Sequence, residues 1–226
     1  MMKSELLVMG KDTILDQLCE RYPSLLQIRG SVGEAATALI TCFESGGKLL
    51  ICGNGGSSAD SLHTAGELMK NFELKRPLSQ RIRAKLAEVS PDRGTFIGRK
   101  LEAGLPAISL TANNPLITAI SNDIDPDLIF AQQIIALGKS NDVLIAVSTS
   151  GNSRNITDAC ITARALGMKV TGITGKNGGR MKDHCDILVN VPEESTALIQ
   201  ELHLPVLHAI CRIVEGHFFN KENAEG

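Results

Sequence analysis

The hydrophobic residues of this chain concentrate in short runs, separated by longer stretches with helical periodicity. Each run is bounded by Gly, Asn, Asp or Ser and is apolar almost throughout. The runs are KLLIC (48–52), PAISLT (106–111), DVLIAVS (142–148), MKVTGIT (168–174) and a weaker fifth, DILVNV (186–191). Strands that are apolar on both faces and alternate with helices form a parallel sheet covered on both sides. The pattern therefore predicts an α/β fold.

Three segments fall outside this alternation. Residues 1–46 fit one or two helices packed outside the sheet, and residues 196–218 fit a long C-terminal helix kinked at Pro205. Residues 75–104 fit two short helices broken at Ser90-Pro91, with eight Lys/Arg against three Asp/Glu. This helical insertion is either a solvated hairpin or a lid or subunit contact that helps to hold an anionic substrate. We expect residues 1–226 to form a single domain.

The composition narrows the class of partner. A net charge of −2 gives no broad attraction to nucleic acid or membranes, and the 3% aromatic content does not favour base stacking. The six cysteines are scattered and contain no CxxC pair, which indicates free thiols in a reducing compartment. The N-terminal apolar stretch is too short for a signal peptide, and no run approaches the ~18 apolar residues of a membrane span. We expect a cytoplasmic protein.

Two loops at the ends of predicted strands share one kind of chemistry. The first is GNGGSS (53–58) after KLLIC, and the second is STSGNS (148–153) after DVLIAV. Glycines let the backbone turn sharply and expose N–H groups, hydroxyls add donors, and a helix N-terminus follows each loop. In an open α/β sheet, ligands bind outside the carboxyl ends of the strands. The loops therefore predict an anion site suited to phosphate, although each taken singly could be an ordinary helix start.

The spacing excludes the familiar nucleotide and hydrolase motifs. A dinucleotide fingerprint needs GxGxxG, but position 58 is serine and no suitably placed acidic residue follows. Neither GKS nor GKT of a P-loop is present. The second loop is also not a GxSxG elbow, so Ser150 is a poor candidate nucleophile.

Candidate acid–base groups lie on two helices. His63 and Glu67 are four residues apart, which places them on one helix face, and both types ligate metals or transfer protons. The C-terminal helix adds Gln200, Glu201 and His208, with His203 between them. Helical rotation aligns Glu201 with His208 better than Gln200, but spacing does not decide between them.

Four motifs together identify a resemblance: GNGGSSADSLHTAGEL (53–68), STSGNSRN (148–155), GKNGGRM (175–181) and IQELHLPVLH (199–208). In this order they resemble the phosphoheptose isomerase branch of the sugar isomerase (SIS) domain family, over about residues 35–215. The resemblance implies a three-layer αβα sandwich around a five-stranded parallel sheet. It also implies a homotetramer with active sites at subunit interfaces, and zinc held by the positions His63, Glu67, Gln200 and His208. This favours Gln200 over Glu201.

The resemblance further assigns roles to the two loops and the two helices. It implies isomerisation of a ketose phosphate such as sedoheptulose 7-phosphate to an aldose phosphate through an enediol, with Glu67 as the base and His208 as its partner. This chemistry needs a base at one carbon and an acid or electrophile at the carbonyl. The predicted substrate-binding residues are Asn54, Gly55, Gly56, Ser57, Ser148, Thr149, Ser150, Ser153, Asn122, Asp123 and Gln200.

Three departures from the family pattern keep an alternative open. Gly66 stands where a second acid is common, and Ala197 and Leu198 replace an acidic residue followed by Arg. A related branch without the acid at position 67 binds the bacterial replication initiator, so a non-catalytic phosphosugar-binding regulator or adaptor is the competing hypothesis. Glu67 favours the enzyme. The His–Glu–Gln–His set could also act as a metal-free acid–base cluster.

Overall fold

A computed structural model describes residues 10–220, and the N-terminal part of the predicted 1–46 segment, residues 1–9, lies outside the described residues. Its centre is one sheet of five parallel strands in the order β2-β1-β3-β4-β5. The strands are β1 (Leu49–Gly53), β2 (Ala107–Ser109), β3 (Val143–Ser148), β4 (Lys169–Thr174) and β5 (Ile187–Asn190). The predicted five-stranded parallel sheet is confirmed, and β2 is shorter than its apolar run.

Helices cover both faces of this sheet. The α-helices are α1 (Lys11–Arg21), α2 (Arg29–Glu44), α3 (Gly56–Met69), α4 (Gln80–Val89), α5 (Pro91–Lys100), α6 (Asn114–Asp123), α7 (Ala131–Leu137), α8 (Arg154–Ala165) and α9 (Thr196–Phe219). Short 3-10 helices span Pro23–Ile28, Pro126–Leu128 and Arg180–His184.

The core is divided by the sheet into two layers, because β1 and β3 are buried along their whole length and alternate their side chains between the faces. One layer joins Ile51 and Ile145 of the sheet to α1, α2, α9 and the inner face of α3. The other joins Leu50 and Leu144 to α7, α8 and Phe130. The fold is the predicted αβα sandwich.

Helix α9 is long and apolar and continues through Pro205 as a single element. By length and composition alone it could cross a membrane, and it is the one helix among residues 10–220 that meets this test. Its apolar side chains, Val206, Ile210 and Val214 among them, are buried against the sheet and α2. The hydrophobicity of α9 is therefore that of a core helix.

The insertion forms a helical hairpin, with α4 and α5 meeting at Ser90-Pro91 as the sequence predicts. The two helices pack closely at Gly94, which has no side chain. A Cβ at this position would collide with the Leu86 carbonyl. The base of the hairpin is closed by a bridge between Pro77 and Glu102 and by a hydrogen bond from Ala103 N to Arg76 O (2.7 Å). Whether the hairpin closes over a substrate or contacts a subunit stays a prediction.

Candidate functional site

The two predicted anion loops lie side by side at the carboxyl edge of the sheet. β1 pairs directly with β3, whereas β2 lies on the other side of β1, so the chain reverses its direction of winding between β1 and β3. Ligands of open α/β sheets bind at such a switch point. The loops after β1 and β3 flank this crevice and lead into the N-termini of α3 and α8, where backbone N–H groups and the helix dipole favour an anion.

The first loop is shaped by its glycines. Gly55 has φ +55°, in the left-handed region that favours glycine, and α3 begins at the next residue. Gly56 lies against Gln200 of α9, since a Cβ at position 56 would be 2.4 Å from Gln200 Nε2. Ser57 is buried in the first turn of α3, where its carbonyl accepts a hydrogen bond from Ser61 Oγ (2.7 Å).

The second loop presents hydroxyls before α8. Ser148 Oγ lies 3.4 Å from Ser153 Oγ, and Ser150 Oγ accepts a hydrogen bond from Asn152 N (3.1 Å). The carbonyl of Thr149 accepts from Gly175 N (3.0 Å), which ties this loop to the end of β4. All the predicted hydroxyl residues of this loop therefore lie together at the entrance to α8.

A reciprocal amide pair joins the two loops. Asn54 Nδ2 donates to Asn155 Oδ1 (2.8 Å), and Asn155 Nδ2 donates to Asn54 Oδ1 (2.9 Å). Asn155, on the first turn of α8, was not among the sequence-predicted site residues. The pairing could not be read from the sequence because the two residues are 101 positions apart.

His63, Glu67 and His208 form a contiguous cluster. His63 Nε2 is 3.0 Å from Glu67 Oε1 and 3.4 Å from His208 Nε2, so α3 and α9 each contribute to it. The two imidazole rings meet edge to face with centroids 5.1 Å apart, and the Phe72 ring lies 5.3 Å from that of His208. The structure therefore brings together the predicted acid–base residues of both helices.

The residues of the cluster differ in how far their side chains are exposed to solvent. The His63 side chain is 44% exposed, whereas that of Glu67 is 13% exposed. Glu67 Oε2 is buried and has no hydrogen-bond partner within residues 10–220, so it is free to accept a proton or a cation. Burial first, and then the neighbouring His63, lower the pKa of His208. His208 is consequently a neutral imidazole at pH 7.

Gln200 and Glu201 occupy different surroundings. Gln200 is half-buried and its amide lies against Gly56, so it belongs to the edge of the first loop. Glu201 is exposed and shares with His208 the lining of a cavity of about 510 Å³ beside Phe72. Glu201 and His208 thus lie on one side of α9, and the residue that contacts the first loop is Gln200.

Asn122 and Asp123 lie at the end of α6, on the solvent-exposed surface, and hydrogen-bond to each other (Asn122 Nδ2 to Asp123 Oδ1, 2.7 Å). Neither hydrogen-bonds to the two loops or to the cluster in the described part of the chain. Their part in substrate binding remains a prediction.

The predicted metal ligands only partly match this geometry. Among residues 10–220, no group of three or more His, Cys, Asp or Glu side chains is arranged so that it could hold a metal ion. His63 instead stands between the other two cluster members, and Gln200 lies on the loop side. Two features still fit a cation: the unpartnered Glu67 Oε2 and the 3.4 Å between the histidine nitrogens. Two nitrogen ligands of a tetrahedral zinc, each about 2.0–2.1 Å from it, are roughly 3.4 Å apart.

A buried ion pair at the end of α3 was not predicted from the sequence. Arg76 and Glu215 are both buried and bind each other at 2.8 Å. The available signal was an acidic residue inside the apolar sequence CRIVEGHF of α9, because a charged residue in a core helix needs a partner.

The family model described as SIS domain matches residues 24–102 and 83–175. The matched segments cover more than half of the chain, which belongs to the SIS domain family.

Similar proteins and solved structures show to which branch of the SIS domain family the chain belongs. The phosphoheptose isomerase of Laribacter hongkongensis is 37% identical over 204 residues, covering 89% of this chain and 91% of its own. That of Roseiflexus sp. is 40% identical over 186 residues, covering 82% and 81%. Solved phosphoheptose isomerases from Neisseria gonorrhoeae (33% identity, TM-score 0.67, covering 91% and 93%) and Francisella tularensis (33%, 0.68, 88% and 97%) share the fold. These relatives place the chain in the phosphoheptose isomerase branch of that family.

Proposed function

We propose that this protein is a phosphosugar ketose–aldose isomerase that converts sedoheptulose 7-phosphate to a heptose 7-phosphate. The observation that carries the proposal is the contact of His63, Glu67 and His208, because His63 and Glu67 lie on the helix that begins at the first of the two loops beside the β1/β3 switch point. The activity is that named for its relatives, which match the chain over most of its length.

The phosphate is proposed to bind between the two loops. Backbone N–H groups at Gly55 and Gly56 and hydroxyls of Ser57, Ser148, Thr149, Ser150 and Ser153 are the proposed donors. Asn54 and Asn155 hold the loops at a fixed separation. Binding of the phosphate there would fix one end of the substrate. Gln200, at the edge of the first loop, can then bind a hydroxyl of the sugar chain.

Glu67 is the proposed base. It removes a proton from C1 of the ketose while the C2 carbonyl oxygen takes a proton from His208, and an enediol forms. The Glu67 carboxyl then exchanges its proton with solvent at the exposed His63 side of the cluster. It gives a proton to C2 while O1 loses its proton to His208, and the aldose forms. Proton transfer between adjacent carbons needs such a base and a donor at the carbonyl. Because burial lowers the pKa of His208, the ring is neutral, and its remaining N–H can donate to the carbonyl oxygen without an imidazolium charge.

Zinc is the proposed metal, held by His63, Glu67 and His208 with Gln200 as the fourth predicted ligand. Bound zinc would polarise the substrate carbonyl and stabilise negative charge on its oxygen. The proposal also includes a homotetramer with sites at subunit interfaces, as the resemblance implies, and a cytoplasmic location, as the scattered cysteines indicate.

The test is conversion of sedoheptulose 7-phosphate by the purified chain, with ketose and aldose phosphates separated by chromatography. Glu67→Gln keeps the size of the side chain and removes its basicity, so turnover should fall by roughly a thousandfold or more, the scale at which one acid–base group contributes. Glu34→Gln, at an exposed position on α2, is the matched control and should keep full activity. Conversion that persists in Glu67→Gln would contradict the assignment of the base.

A further inference from the structure

The end of helix α3, which carries Glu67, is held by a side chain outside the proposed catalytic cluster. The last carbonyls of an α-helix have no partner within the helix. Here Arg76 Nη2 donates to the carbonyl of Glu67 itself (3.0 Å), and Arg76 Nη1 donates to that of Leu68 (2.7 Å). A cation at this position also complements the negative end of the helix dipole.

The same arginine is fixed to helix α9. Arg76 Nε donates to Glu215 Oε1 (2.8 Å), and the side chains of Arg76 and Glu215 are 0% and 1% exposed. Glu215 also accepts hydrogen bonds from Phe72 N (2.9 Å) and Glu73 N (2.8 Å), in the segment that follows α3. The hydrogen bonds of this carboxylate are therefore directed at the segment between α3 and the hairpin.

The geometry connects this pair to the spacing of the proposed acid–base residues. Glu215 follows His208 by seven residues, so the two lie on the same face of α9, two turns apart. Phe72, held by Glu215, also lies against the His208 ring. One ion pair thus contacts the Glu67 backbone on one helix and shares a helix face with His208 on the other.

Stability alone is a poor reason for such a pair. Removing two charges from water is costly, and apolar replacement of a buried ion pair is often neutral or stabilising. What an apolar pair could not supply is the set of hydrogen bonds to the carbonyls of Glu67 and Leu68 and to the amides of Phe72 and Glu73.

We propose that Arg76 and Glu215 are positioning residues that fix the end of α3, and with it Glu67, relative to His208 on α9. This inference rests on the proposed function for its kinetic consequence. Arg76 and Glu215 do not touch the reacting atoms, and their effect is exerted through the α3 backbone.

The kinetic test compares kcat and KM of Arg76→Met, Arg76→Lys and the double variant Arg76→Met/Glu215→Leu. A displacement near 1 Å can cost about a hundredfold in rate, so we expect kcat of Arg76→Met to fall about a hundredfold while KM, set by the phosphate loops, changes less than about threefold. Arg76→Lys keeps the charge but not the three directed donors, so its kcat should lie between those of Arg76→Met and the unaltered chain. The double variant removes both charges and keeps the fold, and its kcat should stay low.

A control at the opposite edge of the sheet separates positioning from folding. Lys48 and Asp142 form another ion pair, largely buried, before β1 and β3. Lys48→Met should lower the thermal midpoint and leave kcat unchanged. Guanidinium at non-denaturing concentration should restore part of the kcat of Arg76→Ala and none of that of Glu67→Gln. Equal loss of kcat in Lys48→Met, or full kcat in the double variant, would overturn the proposal.

Hydrogen exchange provides a readout that does not depend on turnover. In Arg76→Met, amides in residues 67–73 should exchange roughly tenfold faster or more, because their local opening costs less, whereas those of β3 should not change. Unchanged exchange in 67–73 would overturn the inference even if kcat falls. If the unaltered chain converts no ketose phosphate, the proposed function fails, and the exchange experiment still decides whether the pair fixes the end of α3.

Discussion

Replacing His203 by leucine should remove a large part of the acid sensitivity of the fold. His203 lies on the inner face of α9, is 0% exposed, and faces the backbone of Thr174. Burial lowers its pKa from the ordinary 6.5 to about 4. The imidazole is therefore neutral in the folded protein and must bind a proton when the unfolded chain is acidified.

The direction and size of the effect of His203 on the unfolding free energy follow from the linkage between proton binding and folding. Between pH 6.5 and about 4 the unfolded state binds more protons at this site than the folded state, so stability rises with pH in that window and is lost as pH falls through it. A pKa difference of this size corresponds to about 3 kcal/mol, because each unit is about 1.4 kcal/mol. Below about pH 4 both states are protonated at this position, and the loss levels off.

The assay is urea unfolding at several pH values from neutral down to about pH 4, with the unaltered chain and His203→Leu measured side by side. The difference in unfolding free energy between the two should shift toward the variant by about 3 kcal/mol across this range. Parallel pH profiles of His203→Leu and the unaltered chain would refute the reasoning.

Three further outcomes are expected. Gly66→Ala should stabilise the fold by about 0.5–1 kcal/mol, because alanine favours a helix more than glycine does. Gly66 is exposed inside α3, and no atom outside the helix backbone lies within 4 Å of the place that the methyl group would take. A lower urea midpoint would contradict this. Asn155→Ala should raise KM for the sugar phosphate about tenfold with a smaller change in kcat, because two loop-bridging hydrogen bonds are lost; an unchanged KM would contradict the bridging role. Metal analysis of the protein as isolated should find about one zinc per chain, and His63→Ala should lose it; full activity after chelation and no bound metal would favour a metal-free acid–base cluster.

Much of the fold could be predicted from the sequence because its strands are apolar on both faces. Such runs, when they alternate with helical segments, are typical of a parallel sheet covered by helices on both sides, so the αβα layers followed from the runs around Ile51, Ile145 and Ile173. The strand order did not follow. Only the order β2-β1-β3 places the two serine- and glycine-rich loops at one switch point, and no local pattern encodes which strands become neighbours.

In the candidate site, too, the local relations could be predicted from the sequence and the long-range contacts could not. The four-residue spacing of His63 and Glu67 placed them on one face of α3, because that relation is local. The choice between Gln200 and Glu201 depends on what packs against α9, and the missing side chain of Gly56 makes room for Gln200. The Arg76–Glu215 pair joins residues 139 positions apart, which a single sequence does not reveal.

The central claim, proton transfer by Glu67 between adjacent carbons of a ketose phosphate, is tested most directly by isotope exchange. The purified chain is incubated with sedoheptulose 7-phosphate in D₂O, and deuterium at C1 of the ketose and C2 of the aldose is followed by NMR. The account predicts deuterium at these carbons with the unaltered chain and none above background with Glu67→Gln. Aldose formed without any solvent deuterium, or equal exchange in Glu67→Gln, would contradict it.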